Sequence, residues 1–131
     1  MRRLDKPLLD RCRKFGHRMI DVGETLERAR RSRRIVDQMI GCGTSVGANM
    51  YEADEALSRA DFCTAVGRSL KEVSESEFWI DLVGERNWVS PTRLLALKTE
   101  ALALRRVFGA MIARTRRTDA ARKRRTNPES D

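Results

Sequence analysis

The chain has 131 residues, of which 40% are hydrophobic and 35% charged, with a net charge of +8. That length buries one sizeable core and gives no reason to expect two. Aromatics at 5% and only three prolines argue against a β-sandwich or barrel and for long helices. The charge is unevenly placed. Residues 1–34 carry 12 basic and 5 acidic side chains, residues 35–113 carry 8 and 11, and residues 114–131 carry 7 and 3. The middle is mildly acidic and the basic character sits at the two ends.

No interval approaches the roughly 18 apolar residues of a membrane span, and Met1-Arg2-Arg3-Leu4-Asp5-Lys6 is not followed by a signal-peptide core. The expectation is a cytoplasmic protein that does not engage a membrane. Cys12, Cys42 and Cys63 are odd in number and widely spaced, which argues against a disulfide framework and for small buried side chains.

In chain order, Asp5-Lys6-Pro7 is a helix start, with proline tolerated in the first turn. Leu8, Cys12, Phe15, Met19, Val22 and Leu26 then step by fours and threes, predicting a first helix over about 7–28. It ends in Arg28-Ala29-Arg30-Arg31-Ser32-Arg33-Arg34. Arginines packed so densely repel one another and make a solvated turn, unless an anion lies against them.

A second helix is predicted over about 33–54, with Met39, Cys42, Val46, Met50 and Ala53 on one side. Gly41, Gly43 and Gly47 give up roughly 1 kcal/mol each relative to alanine, so close approach of a neighbouring helix has to hold this segment. Ser45, Asn49 and Glu52 form an adjoining polar stripe. Ser58-Arg59-Ala60-Asp61 fits a capping box and opens a third helix over about 59–85, with Phe62, Val66, Ser69, Val73, Ser76, Ile80 and Val83 in line. Ser69 and Glu72 are its polar members, so a network of Ser45, Asn49 and Glu52 with Ser69 and Glu72 is expected to fix the register of these two helices.

Ser90-Pro91 predicts a fourth helix, with a capping hydroxyl followed by proline at the first position. Its seam is Leu94, Leu97, Ala101, Leu104, Phe108 and Met111. Beyond Arg114 large apolar side chains almost vanish, which predicts fraying near 117 and a basic flexible tail over 116–131 after a bundle domain over 1–115. The fold class expected is all-α, an antiparallel up-down-up-down four-helix bundle.

Gly43-Thr44-Ser45-Val46-Gly47 matches a nucleophile elbow in letters only. That turn needs a strand before the serine and a histidine after it, whereas both flanks are helical and His17 comes earlier. Glu52 and Glu72 lack the two Glu-x-x-His elements of a diiron bundle. No catalytic residue, metal ligand or cofactor is therefore expected.

The pattern of Gln38, Ser45-Val46, Asn49 and Glu52, then a short Ser/Arg link, Asp61-Phe62 and Gly67-Arg68-Ser69-Leu70-Lys71-Glu72-Val73 resembles the four-helix-bundle proteins encoded by intervening sequences within bacterial 23S ribosomal RNA genes, the S23 type. That family usually continues Asn-Ile-Ala-Glu-Gly where this chain has Asn49-Met50-Tyr51-Glu52-Ala53. Without the glycine, the abrupt helix end after Glu52 is not implied here, which leaves the second helix free to continue past Glu52 towards Leu57. The resemblance implies a ring-like homopentamer. Residues 105–114 look similar to the accessory variability proteins of diversity-generating retroelements, which implies a reverse transcriptase and its RNA as partners.

The functional reading is a non-enzymatic oligomer that binds nucleic acid, RNA in particular, through phosphate contacts from Arg28, Arg30, Arg31, Arg33 and Arg34 and from Arg114, Arg116, Arg117, Arg122, Lys123, Arg124 and Arg125. The rival is a structural or protein-interaction module whose charge serves solubility.

Overall fold

The computed structural model describes residues 2–127. It contains α1 (Lys6–Arg28), α2 (Arg33–Asp54), α3 (Arg59–Glu85) and α4 (Pro91–Thr126), with no strand among the described residues. Three starts are fixed by side-chain caps, each satisfying an N–H that the helix itself leaves open. Asp5 accepts from Leu8 N–H at 3.1 Å, Ser32 from Ile35 N–H at 3.5 Å and Ser58 from Asp61 N–H at 3.0 Å. At α4 the expected serine cap is absent, for Ser90 makes no side-chain bond. Pro91 alone sets that start, its fixed φ suiting the first turn.

Successive helices pack antiparallel, α1 on α2, α2 on α3 and α3 on α4, while α1 and α4 meet only sparsely. Phe15, Met19, Leu26, Met39, Met50, Ile80, Leu104 and Phe108 are fully buried where the four seams converge. The α1–α2 contact is a backbone approach. A Cβ on Gly47 would stand 3.4 Å from the Cys12 carbonyl oxygen, and one on Gly43 would overlap Cβ and Cγ of Met19. The glycines that weaken α2 as an isolated helix are what let α1 lie this close.

One end has an unexpected cause and one an unexpected place. α2 stops at Asp54, as the span of about 33–54 predicts, and does not run on towards Leu57 although no glycine follows. The Asp54 carboxylate, 5% exposed, accepts the N–H groups of Arg3 at 2.8 Å and Leu4 at 2.7 Å. Arg3 Nε donates to Ala56 O at 2.9 Å, so the chain's first residues clasp the α2–α3 link and draw it off the helical path.

α4 does not fray near 117 but continues to Thr126. Burial ends at Phe108, yet alanine, arginine and lysine are strong helix formers, and extending an existing helix avoids the cost of nucleation. Thr115, Thr118 and Thr126 return their hydroxyls to Met111 O, Arg114 O and Arg122 O. Arg59 ties Asp119 to the first residue of α3 at 3.0 Å. Residues 120–126 therefore project about 10 Å past α3 at 1.5 Å per residue. Of the expected tail, residues 128–131 lie outside the described residues.

Candidate nucleic-acid interface

The up-down topology sends the two arginine clusters to opposite ends. The α1–α2 link and the α3–α4 link share one end, where the Arg31 guanidinium lies 5.1 Å from the centroid of the Trp88 ring and that of Arg86 lies 5.6 Å from it. The end of α4 shares the other with the chain's start and the α2–α3 link. α3, of 27 residues, sets about 40 Å between them.

At the first pole Arg28, Arg30, Arg31, Arg33 and Arg34 are all exposed. Arg28 reaches Thr25 Oγ1 at 3.4 Å. The ion pairs among the described residues engage Arg11, Arg59, Arg68, Lys98 and Arg105 and none of these five. A cleft of about 340 Å³ opens beside them, lined by Arg30, Arg31 and Arg33 with Glu27, Asp37, Val36 and Ile40. Arg30 holds a left-handed backbone at φ 56°. Sequence reasoning missed Arg86, Trp88 and Arg93 here. The signal was available, because in an up-down bundle the third link must return to the end of the first.

At the second pole Arg114, Arg116, Arg117, Arg122, Lys123, Arg124 and Arg125 are exposed on the far part of α4, and none forms an ion pair among the described residues. At 100° per residue they are distributed around the helix rather than gathered on one face. Arg106, Arg117 and Arg124 share one line, Arg114 and Arg125 another, Arg116 and Lys123 a third.

The expected polar network does not form, for among the described residues no hydrogen bond joins Ser45, Asn49 or Glu52 to Ser69 or Glu72. Ser69 Oγ crosses from α3 to donate to Val46 O of α2 at 2.9 Å, fully buried. Asn49 instead turns back to Ser45 O on its own helix at 3.0 Å. Glu52 meets Arg68 at the surface at 3.9 Å. Glu72 joins none of the others; burial, and secondarily Glu75, lifts its carboxyl above the ordinary range. The second buried link between α2 and α3 is one that sequence reasoning missed, Ser76 Oγ to Cys42 Sγ at 3.3 Å.

A mostly apolar groove of about 330 Å³ between α1 and α2 is lined by His17, Cys12, Thr44, Gly47 and Tyr51, but not by Ser45. The nucleophile-elbow letters therefore do not assemble with the histidine. Among the described residues no group of three or more histidine, cysteine, aspartate or glutamate side chains could hold a metal ion. No helix among them is long and apolar enough to cross a membrane.

Four antiparallel helices around an apolar core, with basic residues set apart at two ends, define a helical-bundle protein. Residues 7–110 match the family described as 23S rRNA-intervening sequence protein, and the chain belongs to that family. The resemblance carried by residues 38–73 is thus borne out. A solved protein of unknown function from the S23 ribosomal protein family of Bacteroides thetaiotaomicron superposes with a TM-score of 0.77 at 26% identity, covering 80% of this chain and 97% of that one. A 65-residue segment is also 26% identical to part of a 3-phosphoshikimate 1-carboxyvinyltransferase of Petrotoga mobilis. That match takes in 50% of this chain but only 15% of the enzyme's length.

Proposed function

We propose that this protein is a non-enzymatic, oligomeric bundle that binds nucleic acid, RNA in particular, by phosphate contacts from its two arginine poles. The observation that supports it most is that, among the described residues, ten of the twelve basic side chains named at the poles have neither a hydrogen bond nor an ion pair nor a ring contact, those of Arg28 and Arg31 being the two engaged. Guanidinium groups left uncommitted on a rigid frame suit the bidentate grip of phosphate. Membership of a family tied by its description to ribosomal RNA genes is in keeping with an RNA partner.

The resemblance to pentameric relatives extends the proposal to a ring-like homopentamer, which would repeat each pole about an axis and add avidity. Apolar side chains left exposed on the single chain, Phe78 at 57%, Leu95 at 64% and Leu57 at 88%, suit subunit contact. They equally favour the second reading, a protein-interaction module, with a reverse transcriptase among the partners that the retroelement resemblance suggests.

The test is an RNA titration over a series of salt concentrations, combined with native mass measurement before and after nuclease treatment. Binding that weakens steeply with salt, with a slope reduced when Arg116, Arg117, Arg124 and Arg125 become glutamine, supports the proposal. No binding at low salt favours the interaction module.

A further inference from the structure

The two links at the first pole are built on one plan. Arg30 N–H donates to Glu27 O and Arg31 N–H to Leu26 O, both at 2.9 Å, just as Asn87 N–H donates to Gly84 O and Trp88 N–H to Val83 O, both at 3.0 Å. In this helix-ending motif the first of the two residues takes a left-handed backbone, where glycine is preferred and asparagine tolerated. Asn87 conforms at φ 57°; Arg30 occupies the same geometry at φ 56°. Its side chain is exposed and makes no hydrogen bond, ion pair or ring contact among the described residues, so folding alone gives no reason for an arginine there.

The second residue of the motif ordinarily packs an apolar side chain back on its helix. Trp88 is that residue in one link and Arg31 in the other, and the two meet. The half-buried Trp88 ring carries Arg31 at 5.1 Å and Arg86 at 5.6 Å. A guanidinium held by a ring keeps its N–H donors at its edge, where they remain available to an anion. Residues 27–34 and 85–93 together hold seven arginines against two carboxylates, Glu27 and Glu85. Among the described residues no arginine of the second pole is held by a ring.

We propose that this pole is the principal phosphate site, with Arg31 and Arg86 positioned by Trp88 as paired forks for the backbone of a polynucleotide and Arg30 as a third donor. The inference rests on the nucleic-acid reading above. It adds that the two poles are unequal, the far part of α4 contributing diffuse attraction rather than a shaped site.

The test uses the full chain with Trp79→Phe, which leaves Trp88 as the sole tryptophan of the two present. Titrating a short single-stranded RNA should change Trp88 emission. Replacing Arg31 and Arg86 by glutamine should lower the slope of log affinity against log salt by about 1.4, at about 0.7 for each phosphate no longer neutralised. Removing the same charge as Arg116→Gln with Arg117→Gln should lower it by less. Trp88→Leu should weaken binding although no charge is removed, and Trp88→Phe should restore part of it. Arg30→Gly should raise the melting temperature by about 2–4 °C and yet weaken RNA binding.

If the Arg31/Arg86 variant keeps the parent slope while the Arg116/Arg117 variant flattens it, the inference fails and the nucleic-acid reading stands. If the parent chain binds no RNA at low salt, both fail. Displacement of RNA by inorganic phosphate at equal phosphate concentration would also overturn it, as the mark of a site for the free anion.

Discussion

The close approach of α1 to α2 at Gly43 gives a sharp stability test. Gly43 lies on the α2 face that meets α1, and an alanine there would place a methyl group on Cβ and Cγ of the fully buried Met19. A different Met19 rotamer relieves the overlap with Cγ but cannot move Cβ, so the helices themselves must separate. Overpacking of this kind costs about 1–3 kcal/mol, and with Cβ fixed by the backbone the upper end applies. Alanine returns about 1 kcal/mol of helix propensity. The expected net loss is about 2 kcal/mol.

Gly41 and Gly109 are the controls, since a Cβ on either meets nothing within 4 Å. There Gly→Ala should stabilise by about 0.5–1 kcal/mol. Urea denaturation at fixed protein concentration, followed by tryptophan emission, reads the difference. At about 2 kcal/mol per M for a chain of this size, Gly43→Ala should lower the midpoint by about 1 M, while the controls raise it by about 0.3–0.5 M. Met19→Ala combined with Gly43→Ala should be less harmful than the separate effects added together, because the two side chains compete for one space. Gly43→Ala as stable as Gly41→Ala would mean that α1 and α2 are not in backbone contact, and the account of the glycines in α2 would be wrong.

The clasp at Asp54 gives a second prediction. Asp54→Ala leaves Leu4 N–H without its carboxylate acceptor and Arg3 N–H with only the Asp54 carbonyl at 3.1 Å and should cost about 1–2 kcal/mol by the same assay, whereas after deletion of residues 1–4 the substitution should cost much less. The cysteines give a third. Burial pushes the Cys12 thiol up to about 12 and the Cys42 thiol up to about 11, from an ordinary value of 9.0. Both stay protonated in the folded state after the unfolded chain has begun to ionise, so their contribution is intact below pH 9 and is lost as pH rises towards 11–12. Stability should fall by up to about 1.4 kcal/mol per pH unit for each cysteine in that window, a slope that Cys42→Ala should reduce. Iodoacetamide at pH 8 should modify the half-exposed Cys63 well before either of them.

The helices were legible because their apolar residues recur at threes and fours through long stretches without proline. Ser58 marks a start because a hydroxyl there has one obvious task, the unpaired N–H three residues on, whereas Ser90, read in the same way, makes no such bond. Reading by burial failed at the end of α4. It treated the absence of apolar residues as absence of structure, whereas propensity and the Arg59–Asp119 tie extend a helix whose nucleus lies in the core. Reading by spacing failed at Asn49, which has a satisfactory acceptor on its own helix in Ser45 O. Spacing places it beside α3 but cannot say which carbonyl it takes. Asp54 left no usable mark, because a carboxylate at a helix C-terminus opposes the dipole and only the returning N-terminal segment explains it.

The poles of the bundle differ in how their charge is held, and this decides how a polyanion can use them. Between them α3 carries 3 basic and 6 acidic residues over 59–85, so a phosphate chain drawn along its roughly 40 Å crosses a surface that repels it. On the proposed reading a polynucleotide therefore engages one pole at a time, or joins two molecules pole to pole. Arginines spread around the projecting part of α4 attract phosphate from any side but give up rotamer freedom each time they engage one. Arg31 and Arg86 have surrendered part of that freedom to the Trp88 ring before any ligand arrives. Preorganisation of this sort favours slower release. The first pole should thus set how long the complex lasts, and the second how readily it forms.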